Sequence, residues 1–145
     1  MNFQIKPITA AETYPVRHPV LRAGQNLASC KMEGDDLPET YHFGGYLDEK
    51  LAGVASFMAE PNAHFVGAQY RLRGMAVLSE HQNTGTGKEL LLYGEQFLKD
   101  QNIDLLWFNA RVDAFPFYKK MGYTVIGTPF EIEPIGTHYL MFKKL

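Results

Sequence analysis

The chain has 145 residues, with 14 Lys and Arg against 16 Asp and Glu and a formal net charge of −2, which is the length of one domain with a sizeable core and leaves no room for a second. No block of like charges occurs, which argues against a sequence-independent nucleic-acid binder with its basic face and favours small-molecule chemistry. A lone cysteine, Cys30, rules out an internal disulfide, and no Cys and His pattern at ligand spacing suggests a metal.

The first residues, Met1-Asn-Phe-Gln-Ile-Lys-Pro, lack the basic segment, apolar core and small-residue cleavage site of a leader, and no apolar run approaches membrane-spanning length. A cytoplasmic location with no membrane partner is the expectation. Phe3, Ile5 and Ile8 predict a first strand ending at 7–9. Thr9 then offers a capping box with Glu12 for a helix to about residue 22, which Pro15 and Pro19 kink or break. His18 and Arg22, four residues apart, share one face of it, and a solvated face is the plainer reading of both.

Residues 23–41 are polar and glycine-containing and read as a loop. Its Asp35-Asp36 pair lacks the alternating ligands and terminal Glu of a calcium loop. Runs 42–47 and 51–59, joined by Asp48-Glu49-Lys50, form a hairpin. That hairpin is expected to pair with a third strand over 69–78, giving an antiparallel meander.

A polar turn with two glycines comes next, and then Leu90, Leu91, Gly94, Phe97 and Leu98 stack on one face of a helix that begins at the glycines and ends near residues 100–102. A helix N-terminus presents unpaired N–H groups and positive dipole, so this junction is a candidate phosphate cradle. It is neither of the two common nucleotide motifs. A P-loop needs glycine where Gln82 sits and Ser or Thr where Glu89 sits, and the dinucleotide fingerprint needs glycine where Leu90 sits.

The apolar run 103–109 completes a βαβ crossover and should lie parallel to the strand 72–77. Residues 112–121 predict a short helix stopped by Gly122. Runs 123–127 and 137–142 are the closing strands, joined by a loop over 128–136.

Two stretches resemble a known superfamily. Gln82-Asn83-Thr84-Gly85-Thr86-Gly87 fits the pattern Gln/Arg-x-x-Gly-x-Gly/Ala, and Ala114-Phe-Pro-Phe117-Tyr118-Lys-Lys-Met-Gly122-Tyr123 fits Ala-x-x-Phe-Tyr-x-x-x-Gly-Phe/Tyr in the expected order and distance. Together they resemble the GNAT superfamily of acetyl-CoA-dependent N-acetyltransferases, over essentially the whole chain. The resemblance implies one α/β domain over residues 1–145, with a mixed, mostly antiparallel sheet flanked by helices. Two parallel central strands splay into a V in which the pantetheine arm lies.

It further implies that backbone groups of Gln82, Asn83, Thr84, Gly85, Thr86, Gly87 and Lys88 hold the pyrophosphate of coenzyme A, and that those of Met75, Ala76 and Val77 hold the pantetheine and acetyl carbonyl. Asn83 and Thr86 depart from the commoner Gly and branched aliphatic residue. Gly74 is placed to mark a bulge that turns a main-chain N–H toward that carbonyl. Tyr118 aligns with the tyrosine that protonates the departing thiolate, and Arg111 stands where many members have a coenzyme-contacting Asn, with Asn109 two residues before it.

No glutamate of the central strand can be carried over as general base, because Arg71 and Arg73 occupy that face by period-two alternation. His138 is the first choice, ahead of Glu60, Glu131, Glu133 and a water relay, since an imidazole suits proton removal near neutrality; a structural histidine is the plainer reading of it. If Arg71 or Arg73 points into the cleft, its planar fork favours an acceptor with a carboxylate or phosphate; a cross-strand ion pair is the plainer reading. The expected activity is direct acetyl transfer to a primary amine of a small molecule in a ternary complex. A peptide amine acceptor and a non-catalytic acyl-CoA sensor are the alternatives. A homodimer through exposed strands, the last strand included, is compatible with the resemblance.

Overall fold

A computed structural model describes residues 2–145 and shows one seven-stranded sheet in the order β1-β2-β3-β4-β5-β7-β6. The strands are β1 (Phe3–Ile8), β2 (Tyr41–Leu47), β3 (Lys50–Met58), β4 (Gln69–Val77), β5 (Leu105–Arg111), β6 (Thr124–Ile132) and β7 (Gly136–Lys144). Three helices accompany them: α1 (Tyr14–Leu21), α2 (Thr86–Asp100) and α3 (Phe115–Lys120). Every neighbouring pair is antiparallel except β4 and β5.

The expected capping box forms, with Thr9 N–H donating to Glu12 Oε1 at 2.9 Å and Glu12 N–H to Thr9 Oγ1 at 3.2 Å. Proline shapes the adjoining segment: a 3-10 turn, Ala11–Thr13, precedes α1, which has a proline in its first turn and Pro19 inside. The β2–β3 connection is two residues, Asp48 and Glu49, both with positive φ as a tight hairpin requires.

Helix α2 buries the predicted face. Leu90, Leu91 and Leu98 are fully buried, each contributing about 1.5–3 kcal/mol of apolar burial. Gly94 lets the helix lie on the ring of Phe57, where an added Cβ would fall 2.0 Å from Phe57 Cζ. Tyr123 follows Gly122 into the core, and its hydroxyl donates to Glu95 Oε2 of α2 at 2.6 Å, while Lys143 of β7 donates to Glu95 Oε1 at 3.0 Å. The glycine and aromatic that end the second matched stretch thus tie α3, α2 and β7 together.

Two features of the sheet open a cleft. Pairing of β4 with β5 is confined to residues 69–71 against 105–107, so the strands part beyond Arg71 and Trp107. On its other side β4 bulges: Val54 pairs with Ala76 and Ser56 with Arg73, leaving Gly74 and Met75 opposite one residue, with Gly74 at φ +68°.

The closing strands differ from expectation. β6 continues to Ile132 through a register shift between Ile126 and Phe130, with Gly127 at φ +80°, so Glu131 lies in a strand rather than a loop. β7 is paired on both sides, by β5 and β6, so the last strand offers no free edge; the sheet edges are β1 and β6. Among the described residues, no helix is long and apolar enough to cross a membrane and no cluster of His, Cys, Asp and Glu is built for a metal.

Candidate functional site

The fork between β4 and β5 leads into a cavity of about 330 Å³. Its walls are Leu72, Arg73, Gly74 and Met75 of β4 and Phe108, Asn109, Ala110 and Arg111 of β5, with Leu21 and Arg22 at the end of α1, Met32, Tyr118 of α3, Ile132, Ile135 and His138. Of the sequence-predicted residues, Arg71, Arg73, Met75, Asn109, Arg111, Tyr118 and His138 are therefore brought together. None of the alternative carboxylates, Glu60, Glu131 or Glu133, lines the cavity. Glu60 is taken by Arg71, whose Nη1 donates to Glu60 Oε2 at 2.9 Å, and Glu131 accepts from the Thr137 hydroxyl.

Tyr118 is held by aromatic neighbours, with ring centroids 4.2 Å from Phe108 and 5.1 Å from Phe117. Its hydroxyl has no hydrogen-bond partner among the described residues, although the ring lines the cavity. Burial pushes this phenol well above its ordinary pKa, so it stays protonated through the neutral range. His138, only 4% exposed, has Nδ1 2.8 Å from the Gly136 carbonyl oxygen. A carbonyl only accepts, so Nδ1 carries the proton and Nε2 of the neutral ring keeps its lone pair.

The two arginines of β4 divide. Arg71 is an ion pair with Glu60 and its guanidinium lies 5.0 Å from the centroid of the Trp107 ring, which joins the two expected readings in one residue: it is paired, and it borders the cavity. Arg73 makes no hydrogen bond or ion pair among the described residues.

The candidate phosphate cradle stands at the start of α2. Asn83 has φ +63° and Gly85 φ +87°, left-handed conformations that asparagine tolerates and glycine adopts freely, which accounts for the Asn at this departure from the family pattern. Thr86 is 2% exposed, and a Cβ at Gly53 would come within 2.9 Å of its methyl carbon; its hydroxyl lies 2.9 Å from that of Thr84. The second departure therefore keeps an apolar group buried against β3.

Gly87 is different, because its φ is not positive and an added Cβ would meet only ordinary contacts, 3.7 Å to Val77 and 3.8 Å to Phe117. Nothing inside the chain demands glycine there. With no side chain capping the helix, the N–H groups of its first turn remain unpaired. An open backbone donor set with space above Gly87 fits the diphosphate of coenzyme A. Ala76 is 3% exposed and packs with Val16 and Val54, so the main chain of that segment, not its side chain, is what the cleft can use.

Sequence reasoning missed the support beneath this site. Arg17, fully buried, donates to both carboxylate oxygens of Asp35 at 2.7 and 3.0 Å, to Ser56 Oγ at 2.9 Å and to the Cys30 carbonyl at 3.0 Å. His42 joins through Ser56 Oγ at 2.6 Å. Sequence alone places Asp35 in a plain turn, and its partner lies 18 residues away, beyond any local spacing. The Arg17 guanidinium sits under the bulge, 3.1 Å from where a Gly74 Cβ would be. His18 bonds the Gln25 carbonyl, and Arg22 alone of that pair lines the cavity.

Comparison with known proteins agrees with this geometry. The pattern of the Acetyltransferase (GNAT) family matches residues 9–123. An uncharacterized N-acetyltransferase of Bacillus subtilis (strain 168), YitI, is 34% identical over 143 residues, 98% of this chain and 96% of that protein. Among solved structures, an aminoglycoside 6'-N-acetyltransferase complexed with coenzyme A superposes with a TM-score of 0.77 at 13% identity, covering 97% of this chain and 96% of the other. The ribosomal-protein-S18-alanine N-acetyltransferase of Escherichia coli does so with 0.74 at 18% identity, covering 99% and 94%. Splayed parallel strands, a bulged β4 and an uncapped helix after two glycines thus accompany a family match over most of the chain: it belongs to the GNAT family and is an acetyl-CoA-dependent N-acetyltransferase.

Proposed function

We propose that the enzyme, as one unit over residues 1–145, transfers the acetyl group directly from acetyl-CoA to a primary amine of a small molecule while both are bound. The observation that carries this reading is the meeting of Tyr118 and His138 in the cavity between the diverging strands. The first-turn N–H groups of α2 with residues 82–88 hold the diphosphate, and Asn109 and Arg111 at the same end of the fork border the arm. The main chain of Met75, Ala76 and Val77, unpaired toward β5, takes the pantetheine, and an N–H at the bulge faces the negative charge that develops on the carbonyl oxygen. Acetyl-CoA supplies an activated thioester.

His138 Nε2 accepts a proton from the amine, whose nitrogen forms the new C–N bond, and Tyr118 gives its proton to the sulfur as the C–S bond breaks. Solvent then takes the proton from His138 and returns one to Tyr118. Direct transfer is supported by Cys30, which is fully buried and absent from the cavity wall. A small acceptor is supported by a cavity volume in the range of small-molecule sites.

Release of free thiol from acetyl-CoA, measured across amino acids, amino sugars, aminoglycosides, polyamines and short peptides against a no-acceptor blank, tests this. Acceptor-dependent release with a small amine is expected. Release with peptides alone would overturn the small-molecule assignment.

A further inference from the structure

The amine is not the only group the cavity is built to read. Four arginines, Arg22, Arg71, Arg73 and Arg111, line it, and no Asp or Glu does. Arg71 is neutralised by Glu60, and Asp35 is held by Arg17. Arg22 donates only to the Leu21 carbonyl, and Arg73 has no partner among the described residues. The carboxylates of Glu33 and Glu60 line a separate cavity of about 510 Å³, which shares only Arg71 and Arg73 with the first.

Burial works most strongly against the charge on Arg73 and Arg71 repels it next, with Arg22 adding least; Glu60 and Asp35 pull the other way without offsetting this, and its pKa is held below the ordinary arginine value. A half-buried guanidinium in a cavity lined by three other arginines has five N–H donors and nothing among the described residues to give them to. Position separates it from the coenzyme. β4 and β5 run parallel, so Arg111 at the end of β5 belongs to the α2 end of the fork, whereas Arg73 precedes the bulge on the side away from the cradle.

We infer that Arg73, with Arg22, binds an anionic group of the acceptor, so that the substrate is a small amine that also carries a carboxylate or phosphate. This rests on the transferase reading and narrows it. Arg73 is one residue, about 3.3 Å of strand, from the bulge, which places the anion and the reacting nitrogen in the same small molecule rather than at distant ends of a long one. Polycationic acceptors such as polyamines meet the charges of Arg22 and Arg73, neither paired with a carboxylate, and are disfavoured by the same field.

The test compares amines that differ only in the anion: an amino acid with its carboxamide, and phosphoethanolamine with ethanolamine, with spermidine as the polycation. Thiol release gives kcat/KM for each, and calorimetry on coenzyme A-loaded protein gives binding. The acid of one pair should be favoured by at least about tenfold, as expected of a charge-assisted hydrogen bond, and the responding pair tells carboxylate from phosphate. R73Q should collapse that preference toward one and R73K should keep part of it, while both retain coenzyme A binding as proof of folding. Equal use of acid and neutral amine, or preference for spermidine, overturns the inference and leaves the transferase standing. If no amine is acetylated the small-amine reading of the acceptor falls, and calorimetry still decides the anion site: binding of an acid that R73Q abolishes upholds it, and absence of such binding overturns it.

Discussion

Tyr118 and His138 reach one cavity from α3 and β7, and their roles separate in measurement. Replacing Tyr118 by Phe keeps the aromatic packing on Phe108 and removes only the hydroxyl, so kcat should fall by about 10²-fold or more while coenzyme A affinity is unchanged, as read by steady-state kinetics and calorimetry. H138Q should lower kcat by a similar factor near neutral pH and recover in part at higher pH, where more of the amine is already unprotonated. Tyr118 stood out in the sequence by its place in a matched motif and His138 by residue type, and both border the cavity. What separates His138 from Glu131 and Glu60 as the proposed base was not legible, because it depends on which side chains border the cavity and which are already bonded elsewhere. Arg71 shows the same limit: alternation put it on the right face, but Glu60 lies on a different segment and only the folded chain brings the two to 2.9 Å.

At the scale of elements, α2 was the most readable part of the chain, since its start at two glycines and its 3.6-residue apolar spacing agree. Its two glycines do different work, and that makes a prediction. G87A meets no steric or conformational obstacle and gains helix propensity of up to about 1 kcal/mol, so the free protein should melt at an equal or higher temperature. The same methyl group fills the space above the first-turn N–H groups and should weaken coenzyme A binding by about tenfold. A fall in melting temperature without loss of affinity would remove the cradle. The poorest reading was of β6, where Thr128-Pro129 after Gly127 looked like the start of a loop; the strand instead shifts register there and continues, and no local signal announces that. The assignment of β7 to an edge failed for a related reason, since strand order is a long-range property.

For the whole molecule, the buried group around Arg17 links α1, the loop before β2, and β3 beneath the bulge of β4. Burial alone would raise the Asp35 carboxyl, but hydrogen bonds from Arg17 and the Met32 N–H, with the Arg17 charge, hold it below the usual carboxylate range. A lowered pKa in the folded state stabilises at pH values above the unfolded pKa, and that stability is lost as the pH falls through the folded one. D35N leaves the Arg17 charge uncompensated and should cost about 3–5 kcal/mol at neutral pH in denaturant unfolding. The gap from wild type should narrow below about pH 4, where unfolded Asp begins to take up a proton. A gap that stays constant down to strongly acid pH would show that the carboxylate does not carry this stability.

The pairing of Arg71 with Trp107 has an optical consequence. Trp107 is the only tryptophan in the chain, 3% exposed, at the last paired position of the fork, with its Nε1–H donating to the Glu60 carbonyl and a guanidinium over its ring. Its emission is therefore that of one dry indole in the field of one cation, free of background from any other. A ligand that draws Arg71 off Glu60 toward the cleft would alter that field, so a change in emission on binding would report movement of this one guanidinium.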